Sequence, residues 1–364
     1  MELIWGVISN KPEPTLKLPT PIEALTMKNE IISSLGLSVL ASTAVACNAC
    51  DGNQSDTQPV VYDALTGNET QPDVDWIQIE DGSFIFGSDP EYPCRGGAEK
   101  QVPVTLTRSF QMAATEVTQA QWESLDLPNP SKNVGIDKPV TYINFYEAAV
   151  WCNKLSLLEG LDSCYSFSSC RNDVGVGYPD GLDHSDELSS WNPDYNFNCS
   201  GEIHKYEDWY DCPGYRLPTT AEWEYAAKAN VTDTRTYGGD LIGEQIGHCS
   251  EQPSLNGIAW YCFNSGDELH PVAQKLPNPW GLYDTLGNVY EWTDYFADGQ
   301  PLDYENPDQS MTDPIGPLTG RYKDLRGGKF MSTGCIVNPT WQYGFYPYGI
   351  RYDTGFRPVR TIFE

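Results

Sequence analysis

Hydrophobic and polar positions along this chain follow two periods. Residues 76–88, WIQIEDGSFIFGS, alternate apolar and polar side chains as a half-buried strand does, and Asp81-Gly82 in the middle predicts a hairpin turn. Further on the period lengthens. After Asn144, Ala148, Trp151, Cys152 and Leu155 fall at i, i+3, i+4 and i+7, which predicts a helix with one buried face. Trp223, Ala226 and Ala227 do the same after Thr219. Each helix start carries a capping-box pattern, as does a third: Thr118 precedes Gln121, Asn144 precedes Glu147, and Thr219 precedes Glu222. The rest reads as short strands and long loops, with no internal repeat.

Two stretches break these periods. Residues 51–75 contain no Lys or Arg and few core formers, which predicts a flexible acidic tether over 47–75 and a folded domain over 76–364. Residues 160–214 form a polar insertion between the second and third helices. It holds Cys164, Cys170, Cys199 and Cys212, and a connection that long inside a compact domain implies staples. Two disulfides are expected there, with connectivity left open.

Composition narrows the class. The 32 Gly, 27 Pro, 22 Tyr and 11 Trp suit a turn-rich domain with an aromatic core rather than a helical bundle. A formal charge of −29 argues against nucleic acid, which needs a Lys/Arg footprint. Solubility, calcium or a basic partner fit such acidity better. Eleven Cys favour an oxidising compartment. From Met27 a lone Lys28, an apolar run and Ala44-Val45-Ala46 read as a secretory signal over 27–46, with 1–26 an extension upstream of the true start. Cys47 directly after the cleavage site fits a lipidation site, and removing it leaves ten Cys, an even number. Ala44 stands where Leu is usual, so plain secretion remains the alternative. The apolar run is too short to span a bilayer, and no transmembrane segment is expected in the mature protein.

Six blocks occur in order: GSFIFGS (82–88), MAATEVTQAQW (112–122), YRLPTTAEWEYAAKA (215–229), WGLYDTLGNVYEW (280–292), LRGGKF (325–330) and TGFRPVR (354–360). In this order and spacing they resemble the formylglycine-generating enzyme (sulfatase-modifying factor) family, over roughly 76–362. The resemblance implies a single mixed α+β domain of C-type-lectin-like type, low in regular secondary structure and stapled by disulfides.

That family holds Cu(I) between two cysteines just after its Arg-Gly-Gly block, to oxidise a substrate cysteine to formylglycine. Cu(I) needs two soft thiolates there. The matching positions are Ser332 and Val337, and the segment's one Cys is Cys335. The oxidase chemistry is therefore expected to be absent and copper not to be a cofactor. Cys335 remains the candidate catalytic thiol, its alternative being half of a disulfide. The resemblance also implies structural calcium, held by Asp284 and Glu291 side chains and by Gly287 and Val289 carbonyls; Asp at 284 is a hard oxygen donor. Asn256 and Asn264 are remnants at most of a second such site.

Other chemistry is thinner. Asp194, Asn196 and Asn198 begin like a calcium loop, but Cys199 replaces the required Gly and Lys205 the closing Glu, so turn chemistry is expected. His184, His204, His248 and His270 are scattered, and nucleophile-elbow, phosphate-loop and dinucleotide motifs are lacking. Arg326 and Arg357 belong to framework blocks and should anchor the core through carboxylates.

The segment 331–353 lies where the family places its substrate groove. It carries Trp341, Tyr343, Phe345, Tyr346, Tyr348 and Tyr352, a composition that serves adaptable binding surfaces and cores alike. The expectation is an extracytoplasmic lipoprotein or secreted protein that binds a peptide, glycan or envelope protein through Trp341, Tyr343, Tyr346 and Tyr348, touching the membrane only through a lipid anchor. Two alternatives are a divergent oxidoreductase acting on a protein or peptide cysteine, and a structural envelope protein.

Overall fold

The computed structural model describes residues 64–363, apart from 93, 96–99, 178–193, 195, 200–203, 233–235, 242–246, 299–309 and 318. The expected upstream extension, signal peptide and lipidation site at Cys47 lie outside the described residues, as does the tether up to 63.

Among the described residues, ten short strands form three sheets, joined by four α-helices. Strand β1 (Trp76–Ile79) pairs antiparallel with β4 (Phe110–Ala113), which pairs on its other side with β10 (Val359–Thr361). Strand β2 (Gly82–Phe86) pairs with β3 (Val102–Leu106), and β3 with β6 (Met311–Thr312). The third sheet runs β8 (Tyr343–Phe345), β7 (Lys323–Arg326), β5 (Tyr290–Phe296), β9 (Thr354–Gly355). The expected hairpin over 76–88 does not form, because β1 and β2 belong to different sheets. Alternation marks both strands correctly, but partner choice is tertiary: Asp81 N–H donates to Ser109 Oγ instead of closing a turn.

The helices start where their caps predict. Thr118, Asn144 and Thr219 begin α1 (Gln119–Glu123), α2 (Phe145–Leu158) and α3 (Thr220–Lys228), each with both reciprocal capping-box bonds formed. A four-residue α4 (Pro253–Asn256) follows. Helix α2 is buried on more than the expected stripe, since Ala149, Val150, Asn153, Lys154 and Ser156 are covered too. The insertion supplies the cover. Asn153 exchanges two hydrogen bonds with the Tyr165 backbone, and just past the insertion Tyr215 N–H donates to Ser156 Oγ. Two disulfides, Cys164–Cys212 and Cys170–Cys199, staple this insertion.

Residues 66–74 also pack on the domain, in place of the expected free tether. Thr70 N–H donates to Ser124 O, Lys154 Nζ reaches Glu69 at 2.6 Å, and Val74 joins the core around α2. The Glu69–Lys154 pair explains the departure, because a buried lysine demands a carboxylate and the tether brings it. Trp122, Trp151, Trp209, Trp223 and Trp292 are fully buried. Core side chains of Leu or Phe size, such as Leu155 and Phe145, contribute about 1.5–3 kcal/mol each relative to exposure.

Candidate functional site

A buried carboxylate–guanidinium centre lies where α3, β5 and the chain before β10 meet. Arg357, fully buried, places Nε and Nη2 each 2.6 Å from the two oxygens of Glu291 on β5. Trp223 Nε1 on α3 adds a third bond to Glu291 at 2.6 Å. The remaining guanidinium donors serve Ala113 O, Ala114 O and Tyr283 O. Burial alone would lower the Arg357 pKa, but Glu291 raises it, so the guanidinium stays charged. Glu291 thus has both oxygens engaged by protein donors.

Two further carboxylates face this pair. Asp284 sits at φ 52 in the loop before β5, and its Oδ2 accepts from Ala273 N–H at 2.7 Å while Oδ1 has no partner. Glu116, fully buried before α1, has neither oxygen hydrogen-bonded. Burial, then Asp284, push the Glu116 carboxyl well above the usual range; burial lifts Asp284 to about 6. Gly287 closes the loop at φ 81, where an added Cβ would lie 2.1 Å from Trp260 O, so only glycine fits. Val289 packs with Leu269 and Phe330.

This arrangement suits a cation for a reason of charge. Three buried carboxylates stand against one guanidinium, and the surplus must be met by protons or by a bound cation. The orphaned oxygens of Glu116 and Asp284 are hard donors of the calcium type. Among the described residues no three His, Cys, Asp or Glu side chains converge as a metal-binding group, so backbone or solvent oxygens would have to complete the shell. Glu116 went unnoticed in the sequence. Its signal was a lone acid inside the apolar run of MAATEVTQAQW.

The segment after Arg326-Gly327-Gly328 has no thiolate pair. Ser332 is buried, accepts Lys329 N–H with its Oγ at 3.1 Å and receives Cys262 N–H at its carbonyl. Val337 packs with Leu255, Ile258, Tyr261 and Leu286. Cys335, the candidate catalytic thiol, is bonded to Cys94, and Cys249 to Cys262. This corrects the catalytic assignment, since a disulfide sulfur offers no thiolate. Cys152 is the free cysteine among the described residues; it is buried in α2, and burial pushes its thiol pKa well up, the reverse of an activated nucleophile.

The lesser candidates resolve into structure. Asn256 and Asn264 bond Tyr261, and Asn196 Nδ2 donates to Tyr348 O. Arg326 pairs with Glu224 at 2.5 Å in the core, as its framework block suggested. His204 meets Asp294 at 3.0 Å, beside Lys323 and Tyr165, and stacks on Trp209. Burial would raise the Asp294 carboxyl, yet its bonds to His204 and Lys323 hold it well below the usual range.

The 331–353 aromatics divide. Phe345 is core, against Trp292. Tyr343 is 36% exposed and stacks on Tyr290, with Arg351 over its ring. Tyr346 stacks on Tyr348 at 5.2 Å, meets Tyr322 at 4.8 Å, and accepts from Arg321 Nη2 at 2.9 Å. Trp341 is half-buried with no partner for its Nε1. Tyr352 and Met331 border a separate cavity of about 520 Å³ with Val134 and Tyr142.

A small-stranded, disulfide-stapled α+β domain with this centre is of the formylglycine-generating type. The sulfatase-modifying factor enzyme 1-like domain matches residues 62–362, and the chain belongs to that family. It is 30% identical over 304 residues to chaperone protein LppX of Paenibacillus barcinonensis, spanning 82% of this chain and 93% of that protein. A narrower match, 35% over 140 residues, joins it to the formylglycine-generating enzyme of Streptomyces coelicolor, covering 34% of this chain and 39% of the enzyme. Among solved structures, Treponema denticola variable protein 1 superposes with a TM-score of 0.58 at 28% identity, over 79% of this chain and 95% of that one.

Proposed function

We propose that this domain is a binding module that keeps the family scaffold without its copper oxidase pair, and that it engages a partner protein or peptide through Tyr343, Tyr346 and Tyr348. One observation carries the reading: Ser332 and Val337 occupy the two thiolate positions while Cys335 is tied to Cys94. The 343–348 stretch offers Tyr346, held by Arg321 and stacked on Tyr348, and aromatic anchors of this kind dominate interface energetics. The relative spanning most of this chain carries the name of a chaperone, which favours a protein partner over a small molecule. The four disulfides among the described residues favour an oxidising, extracytoplasmic setting. No described helix is long and apolar enough to cross a membrane. Calcium fits as a structural ion held by Glu116 and Asp284, its role being to neutralise the centre under Arg357.

The test pairs chemistry with binding. Full-length protein, given Cu(I) and a cysteine-containing peptide, should consume no oxygen above a blank. Proteins captured from the extracytoplasmic fraction of the source cells should be lost from Tyr346→Ala/Tyr348→Ala and retained by Cys94→Ser/Cys335→Ser. Copper-dependent oxygen uptake, or capture indifferent to the tyrosines, defeats the reading.

A further inference from the structure

The tyrosine surface has a hydrogen-bonding chemistry that discriminates among peptides. Tyr346 meets Tyr322 at 4.8 Å and stacks on Tyr348 at 5.2 Å. The three rings therefore span no more than about 10 Å, close to one turn of a polyproline II helix at about 9 Å. All three are half-buried, and Arg321 beside them is exposed. The Arg321 guanidinium lies 5.4 Å from the Tyr322 ring and 5.3 Å from the Tyr346 ring.

The acceptors here are already engaged from within the domain. Tyr346 O accepts from Gly349 N–H at 2.9 Å, Pro347 O from Phe145 N–H at 3.0 Å, and Tyr348 O from Asn196 Nδ2 at 2.9 Å. Asp298 accepts Arg321 N–H with both carboxylate oxygens and Tyr322 N–H with one of them. The Tyr346 hydroxyl oxygen accepts from Arg321 Nη2 at 2.9 Å and from the Tyr322 hydroxyl at 3.4 Å, which occupies both its lone pairs. Donors remain. The Arg321 guanidinium is a donor only, and among the described residues it pairs with no carboxylate, although the chain carries a formal charge of −29.

We propose that the surface formed by Tyr322, Tyr346 and Tyr348 binds a proline-rich segment of a partner protein in polyproline II conformation, with an acidic residue that pairs with Arg321. This rests on the proposed binding function of the tyrosines and names the chemistry of their partner. An ordinary peptide brings backbone N–H groups, and burying those against engaged acceptors costs free energy. Proline has no N–H, while its carbonyls suit a surface rich in donors. Polyproline II is preformed, so flat tyrosine rings receive its pyrrolidine rings at small entropic cost. Charge complementarity to Arg321 sets the acidic residue.

The probe is a capped octapeptide of seven Pro and a central Glu, titrated by calorimetry into the full chain. One control replaces every Pro by Ala, and another replaces Glu by Lys. The Pro/Glu peptide should bind at least about tenfold more tightly than either control, and should shield Tyr346 and Tyr348 from nitration, mapped by mass. Tyr346→Ala/Tyr348→Ala should weaken it at least about tenfold, and Arg321→Gln should erase the preference for Glu over Lys. Should the double variant misfold, nitration of the unaltered protein and the Arg321→Gln titration decide. Absence of Pro/Glu binding, equal affinity for the Ala peptide, or binding that leaves both tyrosines open to nitration overturns the proposal. If capture of partner proteins still depends on Tyr346 and Tyr348 in that event, the binding function stands and only the polyproline class falls. Capture indifferent to these tyrosines defeats the function and this proposal with it. A dimer of the chain that the double variant dissolves also overturns it, because the occupant is then a second copy.

Discussion

Breaking the Cys94–Cys335 bridge should destabilise the domain strongly without removing any chemistry. The bond closes a loop with a sequence separation of 241. Loop-closure entropy for a chain of that length amounts to about 5 kcal/mol at 25 °C. The bridges Cys164–Cys212 and Cys249–Cys262 lie inside this loop and shorten its effective length, but the dependence is logarithmic and the figure stays near 5 kcal/mol. Unfolding entropy of about 2.1 cal/mol/K per residue over about 300 residues gives about 0.6 kcal/mol/K, so the double variant Cys94→Ser/Cys335→Ser should lower Tm by about 8 °C. The assay is scanning calorimetry without reductant, beside mass mapping of thiols in the unaltered protein. A Tm shift below about 2 °C, or a free thiol at Cys335 in protein from an oxidising compartment, refutes the reasoning and revives a thiol-based activity.

Two further outcomes follow from the buried charges. Calcium at about 100 times its Kd should add about 2.7 kcal/mol, raising Tm by about 4 °C, and Glu116→Gln should abolish that increment; an unaltered protein indifferent to calcium against chelator counts against the ion. Asp324 is lifted to about 6 by burial, against the pull of Arg326 and Thr220, and its Oδ1 has no partner. Its folded pKa lies above the unfolded value, so it favours folding at low pH, and that advantage is lost as pH rises from about 4 to about 6. Asp324→Asn should remove up to about 3 kcal/mol of that decline, read as the difference between variant and unaltered protein in denaturant midpoints at pH 4 and pH 7. Equal slopes would refute it.

Local chemistry was legible in the chain. The three helix starts needed only a cap residue and its partner three positions on, because those bonds close within one turn. The ordered Gly- and aromatic-rich blocks marked the family, and the expected bond between a framework arginine and a carboxylate appears as Arg357–Glu291. The positions 332 and 337 were legible as lacking sulfur, since residue type alone decides that. What required tertiary structure was everything set by partners far along the chain. β1 and β2 alternate as one hairpin would, yet β4 and β3 claim them separately. Cys335 finds Cys94 across 241 residues, a choice no spacing rule makes. Glu116 becomes part of the buried centre only because two distant segments bring Asp284 with Glu291, and Arg357, to it, and Glu69 leaves an apparent tether because Lys154 would otherwise be buried unpaired. Sequence determines what a residue can do within a turn or two of itself; burial and charge neutralisation are properties of neighbours, and the fold alone supplies those.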